Sequence, residues 1–247
     1  MSMIAIIGGT GLTSLHGLEI TGREVAQSPY GEPSGILIRG RFAGHDVLFL
    51  PRHGSGHTIP PHAVNYRANI WVLKEAGADK VIAVNAVGGI RADLEAGSLV
   101  IPDQLIDYTW SRKNTFYEND HDPVVHVDFT EPYCAELRQA LIAAAEPAGL
   151  KVFDRGTYAA TQGPRLETAA EIDRLERDGC DIVGMTGMPE AVLARELELC
   201  YASICLVVNM AAGRGEGEIS MSDIEQHISS GMKRVRRLLE YSIPLLA

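Results

Sequence analysis

Short and almost uninterrupted apolar runs recur along the chain, and they limit the possible folds more than any other feature. The runs are rich in Val, Ile, Leu and Ala and cover residues 3–7, 36–39, 47–50, 81–85, 99–102, 157–161, 181–185 and 200–208. A strand that is apolar on both faces has to be covered on both faces, as in a parallel sheet between helices. The runs therefore predict an α/β fold with a mixed, mostly parallel central sheet flanked by helices.

Helical patterns lie between several of these runs, as such a sheet requires. We predict helices over residues 64–75, 133–148 and 189–198, and a last helix from Ser222, with Glu225 completing a capping box. A chain of 247 residues without linker, repeat or low-complexity segment predicts one domain over residues 1–247. Residues 111–132 lack periodicity and predict a long loop that is functional or packs against another subunit.

Composition and charge exclude several classes of function. The net charge of −10, without any Lys/Arg run, argues against a nucleic-acid surface. No apolar stretch approaches the roughly 20 residues that span a bilayer, and the N-terminal run predicts a strand rather than a signal peptide. The four cysteines form no Cys-x-x-Cys pair, which favours buried free thiols in a reducing cytoplasm over disulfides. We therefore expect a cytoplasmic protein.

The first strand runs into the glycine turn Gly8-Gly9-Thr10-Gly11, which suits an anion because it gathers backbone N–H groups and a hydroxyl. The turn lacks the Gly-Lys-Ser/Thr of loops that bind nucleoside triphosphates, and Ser14 stands in place of the third glycine of dinucleotide-binding loops. A second apolar run ends in Arg52-His53, and both side chains are good partners for phosphate oxygens. Together the two elements predict a phosphate site.

The residues that follow the other strands predict a site for a free anion and a neutral ligand. Hydroxyls, amides and glycines recur there, at Asn85 to Gly89, Met185 to Gly187 and Asn209. His53, His57 and His62 leave open a metal site or a merely structural histidine-rich loop, although Arg52 would repel a cation. We expect no metal and no cofactor.

Serines and two glutamates are the other residues in the sequence that could carry chemistry. No serine lies in a Gly-x-Ser-x-Gly elbow, so the bound anion itself would have to attack. Glu167 and Glu171 are either acidic residues at a helix N-terminus or part of the site.

Six ordered motifs resemble those of the trimeric purine nucleoside phosphorylases, most closely the methylthioadenosine phosphorylase branch. They are Ile6-Ile7-Gly8-Gly9-Thr10-Gly11, Arg52-His53-Gly54 with His57, residues 64–70, Asn85-Ala86-Val87-Gly88-Gly89, Gly163-Pro164-Arg165 and Met185-Thr186-Gly187-Met188-Pro189-Glu190. The resemblance implies a single-domain phosphorylase fold and a homotrimer, or a dimer of trimers, with sites near subunit interfaces. It also implies phosphorolysis of a purine nucleoside without metal or cofactor.

The resemblance also assigns roles residue by residue. Phosphate would be bound by Thr10, Arg52, His53, Asn85, Ala86 and Thr186. Met185 would lie along the ribose, Asn209 would face the purine, and His53 and Asn209 would be the catalytic pair. His126 looks like the residue that the family lends to a neighbouring subunit's site. Leu166 stands where relatives often place a phenylalanine over the base.

Asn209 and Ala211 depart from the Asp-x-Asp that is typical of methylthioadenosine phosphorylases. A 6-amino group donates hydrogen bonds and requires an acceptor, whereas a 6-oxo group requires a donor such as an amide N–H. Asn209 therefore predicts a 6-oxopurine, unless it is only a turn-capping amide. Met221 and Ile224 would form an apolar wall that suits a methylthio group, unless they simply pack the last helix.

We therefore expect phosphorolysis of a purine 5′-methylthionucleoside, with S-methyl-5′-thioinosine and phosphate giving hypoxanthine and 5-methylthioribose 1-phosphate. The nearest alternatives are S-methyl-5′-thioadenosine phosphorylase and a general inosine and guanosine phosphorylase. A nucleoside hydrolase would leave the Arg52-His53 anion site idle. A dinucleotide-binding regulatory module is the alternative outside enzymology, since the glycine turn superficially permits it.

Overall fold

The structure, a computed structural model, describes residues 2–118 and 123–247. The strands are Ile4–Gly8 (β1), Glu19–Glu24 (β2), Leu37–Phe42 (β3), His45–Pro51 (β4), Lys80–Gly89 (β5), Leu99–Val100 (β6), Gln104–Asp107 (β7), Val152–Phe153 (β8), Thr157–Ala160 (β9), Ile182–Gly184 (β10) and Cys200–Met210 (β11). The helices are Tyr66–Glu75 (α1), Ala135–Ala145 (α2), Ala169–Arg177 (α3), Gly187–Glu196 (α4) and Met221–Leu246 (α5), with a 3-10 turn at Pro61–Ala63.

All of these strands belong to one mixed sheet. Its main path runs β2-β3-β4-β1-β5-β10-β9-β7, and β11 joins β5 to β6, which in turn pairs with β8. The pairs β1–β4, β1–β5, β5–β11, β6–β8, β7–β9 and β9–β10 are parallel. The remaining pairs, β2–β3, β3–β4, β5–β10 and β6–β11, are antiparallel. This confirms the predicted mixed, mostly parallel α/β fold.

The core has a layer on each face of the sheet because neighbouring strand residues point to opposite faces. On β1, Ala5 and Ile7 pack in the layer that α1 and α4 cover, whereas Ile4 and Ile6 pack in the layer of α2 and α5. All β1 residues are buried, which explains why the run reads as continuously apolar in sequence. The carboxyl ends of β1, β4, β5 and β11 consequently meet at one edge.

The predicted helices at 64–75, 133–148 and 189–198 correspond to α1, α2 and α4 with shifts of up to three residues at their ends, and the predicted cap of the last helix differs. Helix α5 is capped by Ser220, whose hydroxyl accepts from the backbone N–H of Asp223 at 3.4 Å, so the predicted box of Ser222 and Glu225 is wrong. A capping box occurs instead at the start of α3, between Thr168 and Glu171. Ser220 and Ser222 have the same cap preference, so the sequence alone does not distinguish them.

The cysteines correct a second prediction. Cys134 and Cys200 form a disulfide, with their Cα atoms 5.2 Å apart, whereas Cys180 and Cys205 are buried free thiols as expected. The backbone N–H of Cys134 donates to the carbonyl of Tyr201 at 2.8 Å, which brings the start of α2 beside the start of β11. This proximity across 66 residues is invisible in the spacing. With that bond present, the cysteines no longer favour a reducing compartment.

No helix within residues 2–118 and 123–247 combines the length and apolar composition that crossing a bilayer requires. The described part of the predicted loop at 111–132 contains no helix or strand. Arg112 fixes the beginning of this loop, since its Nη1 donates to the carbonyls of Met185 at 2.7 Å and Met188 at 2.6 Å. The loop is therefore attached directly to the segment after β10 and to the first turn of α4.

Candidate active site

A cavity of about 360 Å³ opens where β1, β4, β5 and β11 end. Its walls come from the loop after β1, the segments after β4 and β10, the second half of β5, and the beginning of α5. The predicted site residues in its lining are Thr10, Arg52, His53, Asn85, Ala86, Leu166, Met185, Thr186, Asn209, Ala211, Met221 and Ile224. The structure therefore brings these residues to one cavity, while their individual roles stay predictions.

The glycine turn after β1 is as tight as the sequence predicts. A Cβ on Gly9 would stand 2.3 Å from the carbonyl oxygen of Val84 and 2.8 Å from Nη1 of Arg52, so no other residue fits without displacing them. Gly11 has a φ of +82°, and a Cβ there would meet Ile228 of α5 at 2.1 Å. The glycines therefore let the turn lie directly against Arg52 on one side and α5 on the other.

Thr186 is fixed by a buried polar network behind the cavity. Its hydroxyl donates to Oδ1 of Asn85 at 2.9 Å, and Nδ2 of Asn85 donates to the hydroxyl of Ser203. The backbone N–H of Thr186 donates to the hydroxyl of Tyr158 at 3.3 Å. Because both polar atoms of the Asn85 side chain are engaged, that side chain orients Thr186 in this structure.

Arg52 is fully buried and forms a two-pronged ion pair. Its Nε and Nη2 donate to the two carboxylate oxygens of Glu190 at 2.7 and 2.8 Å, and Nη1 donates to the carbonyl of Val84 at 2.9 Å. Burial alone would lower the pKa of Arg52, but the charge and hydrogen bonds of Glu190 outweigh it and raise that pKa. Glu190 was not among the predicted site residues.

His53 is held in one tautomer beside Arg52. Its Nδ1 lies 2.8 Å from the carbonyl oxygen of Ile59, an acceptor, so Nδ1 carries the proton and Nε2 is left as an acceptor. Burial, reinforced by the positive charge of Arg52, lowers the pKa of His53 to about 4. The imidazole is therefore neutral at physiological pH.

This lowered pKa makes stability depend on pH. An unfolded histidine titrates near 6.5, so between about pH 6.5 and about pH 4 the unfolded chain binds a proton that the folded chain does not. We expect the free energy of unfolding to decrease as the pH falls through this window. His53→Gln should remove up to about one proton from that dependence. Urea denaturation across the window measures it, with the exposed His16→Gln as the control; equal slopes in wild type and His53→Gln would contradict the assignment.

Asn209 follows a register shift in β11 that turns it toward the cavity, where it pairs with Gly88 of β5. Its Nδ2 donates to the carbonyl of Met210 at 2.7 Å, which leaves one amide hydrogen and the Oδ1 acceptor for a ligand. Ala211 is buried, and it lies next to Gly88, since a Cβ on Gly88 would be 3.6 Å from the Ala211 methyl group. This end of the cavity therefore presents an amide without the second carboxylate of an Asp-x-Asp pair.

The two undecided glutamates have different surroundings. Glu171 pairs with Arg165 at 2.7 Å and accepts from the Thr168 backbone in the α3 capping box, and these contacts lower its pKa to about 2. Glu167 lines the cavity, and its Oε1 accepts a hydrogen bond from the Thr161 hydroxyl at 2.6 Å. The structure therefore separates a helix-terminus carboxylate from one that lines the cavity. Leu166 also lines this region and is 40% exposed.

The beginning of α5 and the segment before it supply an apolar wall to the same cavity. Its members are Ile219, Met221, Ile224 and Ile228. Ile224 and Ile228 also pack in the core layer of α5, whereas Met221 is 61% exposed. Ile224 therefore both lines the cavity and packs the last helix against the core, the two roles between which the sequence does not decide.

The remaining predicted residue, His126, is exposed and does not line the cavity of its own chain. His57 and His53 have ring centroids 4.8 Å apart. Within the described residues, no group of three or more His, Cys, Asp or Glu side chains is arranged to hold a metal ion.

Comparisons with known proteins agree over the whole chain. The family model described as Phosphorylase superfamily matches residues 3–244. A protein of Pseudomonas syringae pv. tomato, named probable S-methyl-5′-thioinosine phosphorylase, is 56% identical over 239 residues, covering 97% of each chain. The 6-oxopurine nucleoside phosphorylase of Pyrococcus furiosus is 46% identical over 251 residues, covering 100% of this chain and 94% of the other.

The solved structures include a methylthioadenosine phosphorylase from Schistosoma mansoni in complex with adenine. It superimposes with a TM-score of 0.96 at 34% identity, covering 100% of this chain and 92% of the other.

Proposed function

This chain belongs to the phosphorylase superfamily, and we propose that it catalyses phosphorolysis of S-methyl-5′-thioinosine to hypoxanthine and 5-methylthioribose 1-phosphate. Membership in this superfamily confirms the resemblance drawn from the motifs and argues against the alternative of a dinucleotide-binding module. The observation that carries the proposal is that one cavity contains the anion turn, the Asn209 amide and the apolar wall of α5. These three features match the phosphate, the 6-oxopurine and the methylthio group of one reaction.

Phosphate binding is proposed for the part of the cavity around the glycine turn. The hydroxyl of Thr10 can donate to a phosphate oxygen, and the Thr186 hydroxyl can do so once it turns away from Oδ1 of Asn85. The backbone at Ala86 lies beside them. Nε2 of neutral His53 can accept from the protonated oxygen of monohydrogen phosphate. Arg52 lies behind the turn, where low solvent access strengthens its electrostatic effect.

In the proposed reaction, a phosphate oxygen forms a bond to C1′ of the sugar as the C1′–N9 bond breaks. The electron pair of that bond leaves with the purine, which takes up a proton at N7. The proton that monohydrogen phosphate gives up as it becomes the sugar phosphate balances this uptake. Oδ1 of Asn209 accepts from the N7–H, and its remaining amide hydrogen donates to the 6-oxo oxygen. The cavity contributes orientation because both reactants are held along one edge of a rigid sheet.

Glu167, whose role the sequence does not decide, is a second residue that favours a 6-oxopurine substrate. Hypoxanthine carries a hydrogen on N1, whereas adenine has a bare acceptor there. A carboxylate accepts hydrogen bonds, so Glu167 complements hypoxanthine and repels the N1 lone pair of adenine. Its Oε1 already accepts from Thr161, which fixes the carboxylate and leaves further lone pairs for the base.

A general 6-oxopurine nucleoside phosphorylase is the second candidate, because Asn209 and Glu167 would serve it equally. The wall of Ile219, Met221 and Ile224 favours the methylthio substrate, since it offers apolar contact and no hydrogen bond to a 5′-hydroxyl. Burying a methyl group there is worth about 1 kcal/mol, so we expect roughly a fivefold preference in kcat/KM over inosine.

We further propose a homotrimer, or a dimer of trimers. Leu166, which lines the cavity, is 40% exposed, and Trp110, which lines a neighbouring groove with Glu167, is 66% exposed. Val124 is 81% exposed in the segment that contains His126. Exposed apolar side chains of this kind suit contact with a second copy of the chain. Sedimentation should give a trimer or a multiple of it, and His126→Ala should lower nucleoside kcat/KM without dissociating it. A fully active monomer would contradict the shared site.

The direct test of the proposed reaction follows base release from S-methyl-5′-thioinosine with and without phosphate. We expect release only with phosphate, and methylthioribose 1-phosphate as the sugar product. Release without phosphate, giving free methylthioribose, would identify a hydrolase instead.

A further inference from the structure

Beneath the glycine turn, Arg52, Glu190 and Tyr201 form a buried chain of polar contacts. The side chains of Arg52 and Glu190 are completely inaccessible, and two hydrogen bonds join them at 2.7 and 2.8 Å. The hydroxyl of buried Tyr201 donates to Oε1 of the same carboxylate at 2.9 Å. None of the steps proposed above uses Glu190 or Tyr201.

The guanidinium is held between this carboxylate and the anion turn. Its Nη1 donates to the carbonyl of Val84 and lies where a Cβ on Gly9 would come within 2.8 Å. An arginine has five N–H groups, and these contacts engage one on each nitrogen. One N–H therefore remains on each of Nη1 and Nη2.

Stability alone is a poor reason for such a pair. Removing two charges from water costs several kcal/mol per ion, and well-packed apolar side chains of similar size often serve a fold as well or better. A carboxylate that engages the Nε and Nη2 edge does, however, fix the plane of the guanidinium. The ion pair then acts as an oriented dipole, with its positive end beside Gly9 and its negative end in the core.

We infer that Glu190 is a positioning residue for phosphorolysis: it holds Arg52 against the anion turn, and Tyr201 holds Glu190. The inference rests on the proposed function, because it assumes that the turn binds phosphate. It adds to that function a carboxylate that acts on phosphate without touching it.

Glu190→Gln tests the inference because glutamine keeps the size of the side chain but offers one acceptor and one donor. The guanidinium presents two donors to it, so one bond is lost and the guanidinium turns. We expect kcat/KM for phosphate to fall about tenfold or more, while KM for the nucleoside changes less than about threefold. A purely structural role would lower the amount of folded enzyme and leave both KM values unchanged.

A double-mutant cycle separates action through Arg52 from an independent effect. The variants are Arg52→Gln, Glu190→Gln and the double variant. In the double variant two amides replace the two charges, so no unpaired ion is left buried. If Glu190 acts only through Arg52, adding Glu190→Gln to Arg52→Gln should lower kcat/KM for phosphate by less than about twofold. Multiplicative losses in the double variant would overturn the inference.

Two stacked tyrosines, Tyr201 and Tyr133, provide a test variant and its matched control, since Tyr→Phe removes only a hydroxyl from each. Tyr133 and Tyr201 are both buried, with ring centroids 6.1 Å apart, but within the described residues the Tyr133 hydroxyl has no hydrogen-bond partner. Tyr201→Phe should raise KM for phosphate about threefold or more, because Glu190 loses one of its fixed donors. Tyr133→Phe should leave it unchanged.

The outcomes distinguish this inference from the proposed function. If wild-type enzyme shows no phosphate-dependent base release, the proposed function fails first. If it does, and Glu190→Gln leaves KM and kcat/KM for phosphate at wild-type values, Glu190 is not a positioning residue. Wild-type values in Tyr201→Phe would show that Tyr201 does not hold Glu190.

Discussion

Arg52→Ala is expected to lower kcat/KM for phosphate by more than about a hundredfold, while KM for the nucleoside rises only a few-fold. The charge behind the glycine turn is lost, whereas no contact to purine or sugar is proposed for this side chain. The same change leaves the carboxylate of Glu190 buried without a cation. We therefore also expect the free energy of unfolding to fall by about 3–5 kcal/mol.

Initial rates at varied phosphate and nucleoside, together with urea denaturation, measure both effects. Arg41→Ala is the control, because Arg41 pairs with Asp46 at 3.8 Å through side chains that are 58% and 74% exposed. Exposed pairs of this kind contribute about 0–1 kcal/mol, so the control should remain close to wild type in both assays. Unchanged phosphate dependence in Arg52→Ala would remove Arg52 from the anion site.

Exchanging the base-reading residues should reverse the choice of purine. Asn209→Asp replaces the amide donor opposite the 6-oxo oxygen with an acceptor, and an unsatisfied group there costs about 1–3 kcal/mol. We expect the single variant to lose roughly ten- to hundredfold in kcat/KM on S-methyl-5′-thioinosine. Adding Ala211→Asp supplies a second acceptor for a 6-amino group and should raise the relative rate on S-methyl-5′-thioadenosine.

The phosphate side and the 5′ wall are untouched, so KM for phosphate and the preference for methylthio over hydroxyl substrates should persist in both variants. The exposed Asn114→Asp introduces the same charge change away from the cavity and should behave as wild type. A variant pair that keeps the original purine preference would show that Asn209 and Ala211 do not read position 6.

The strand-end residues were predictable because the physics that places them is visible in sequence. A continuously apolar strand must be buried, and parallel strands bring their carboxyl ends to one edge. Thr10, Arg52 and Asn209 each follow or end such a run, so the runs predict that they lie at one edge of the sheet, and all three line the cavity there. The roles assigned to them came from chemistry and resemblance and await the experiments above.

Other features were hidden because they depend on contacts between distant residues. Glu190 lies 138 residues from Arg52, and in sequence it looks like an ordinary acidic residue near a helix start. The bond between Cys134 and Cys200 likewise becomes visible only when α2 packs beside β11. Strand β2 was missed because it is almost wholly exposed and carries no apolar run.

The most direct test of the central claim compares S-methyl-5′-thioinosine, S-methyl-5′-thioadenosine, inosine and adenosine as substrates of the wild-type enzyme at saturating phosphate. Asn209 and Glu167 predict that each 6-oxopurine exceeds its 6-amino counterpart by about tenfold or more in kcat/KM. The α5 wall predicts that S-methyl-5′-thioinosine also exceeds inosine. A higher kcat/KM for S-methyl-5′-thioadenosine than for S-methyl-5′-thioinosine would contradict the account and place the enzyme with the aminopurine phosphorylases.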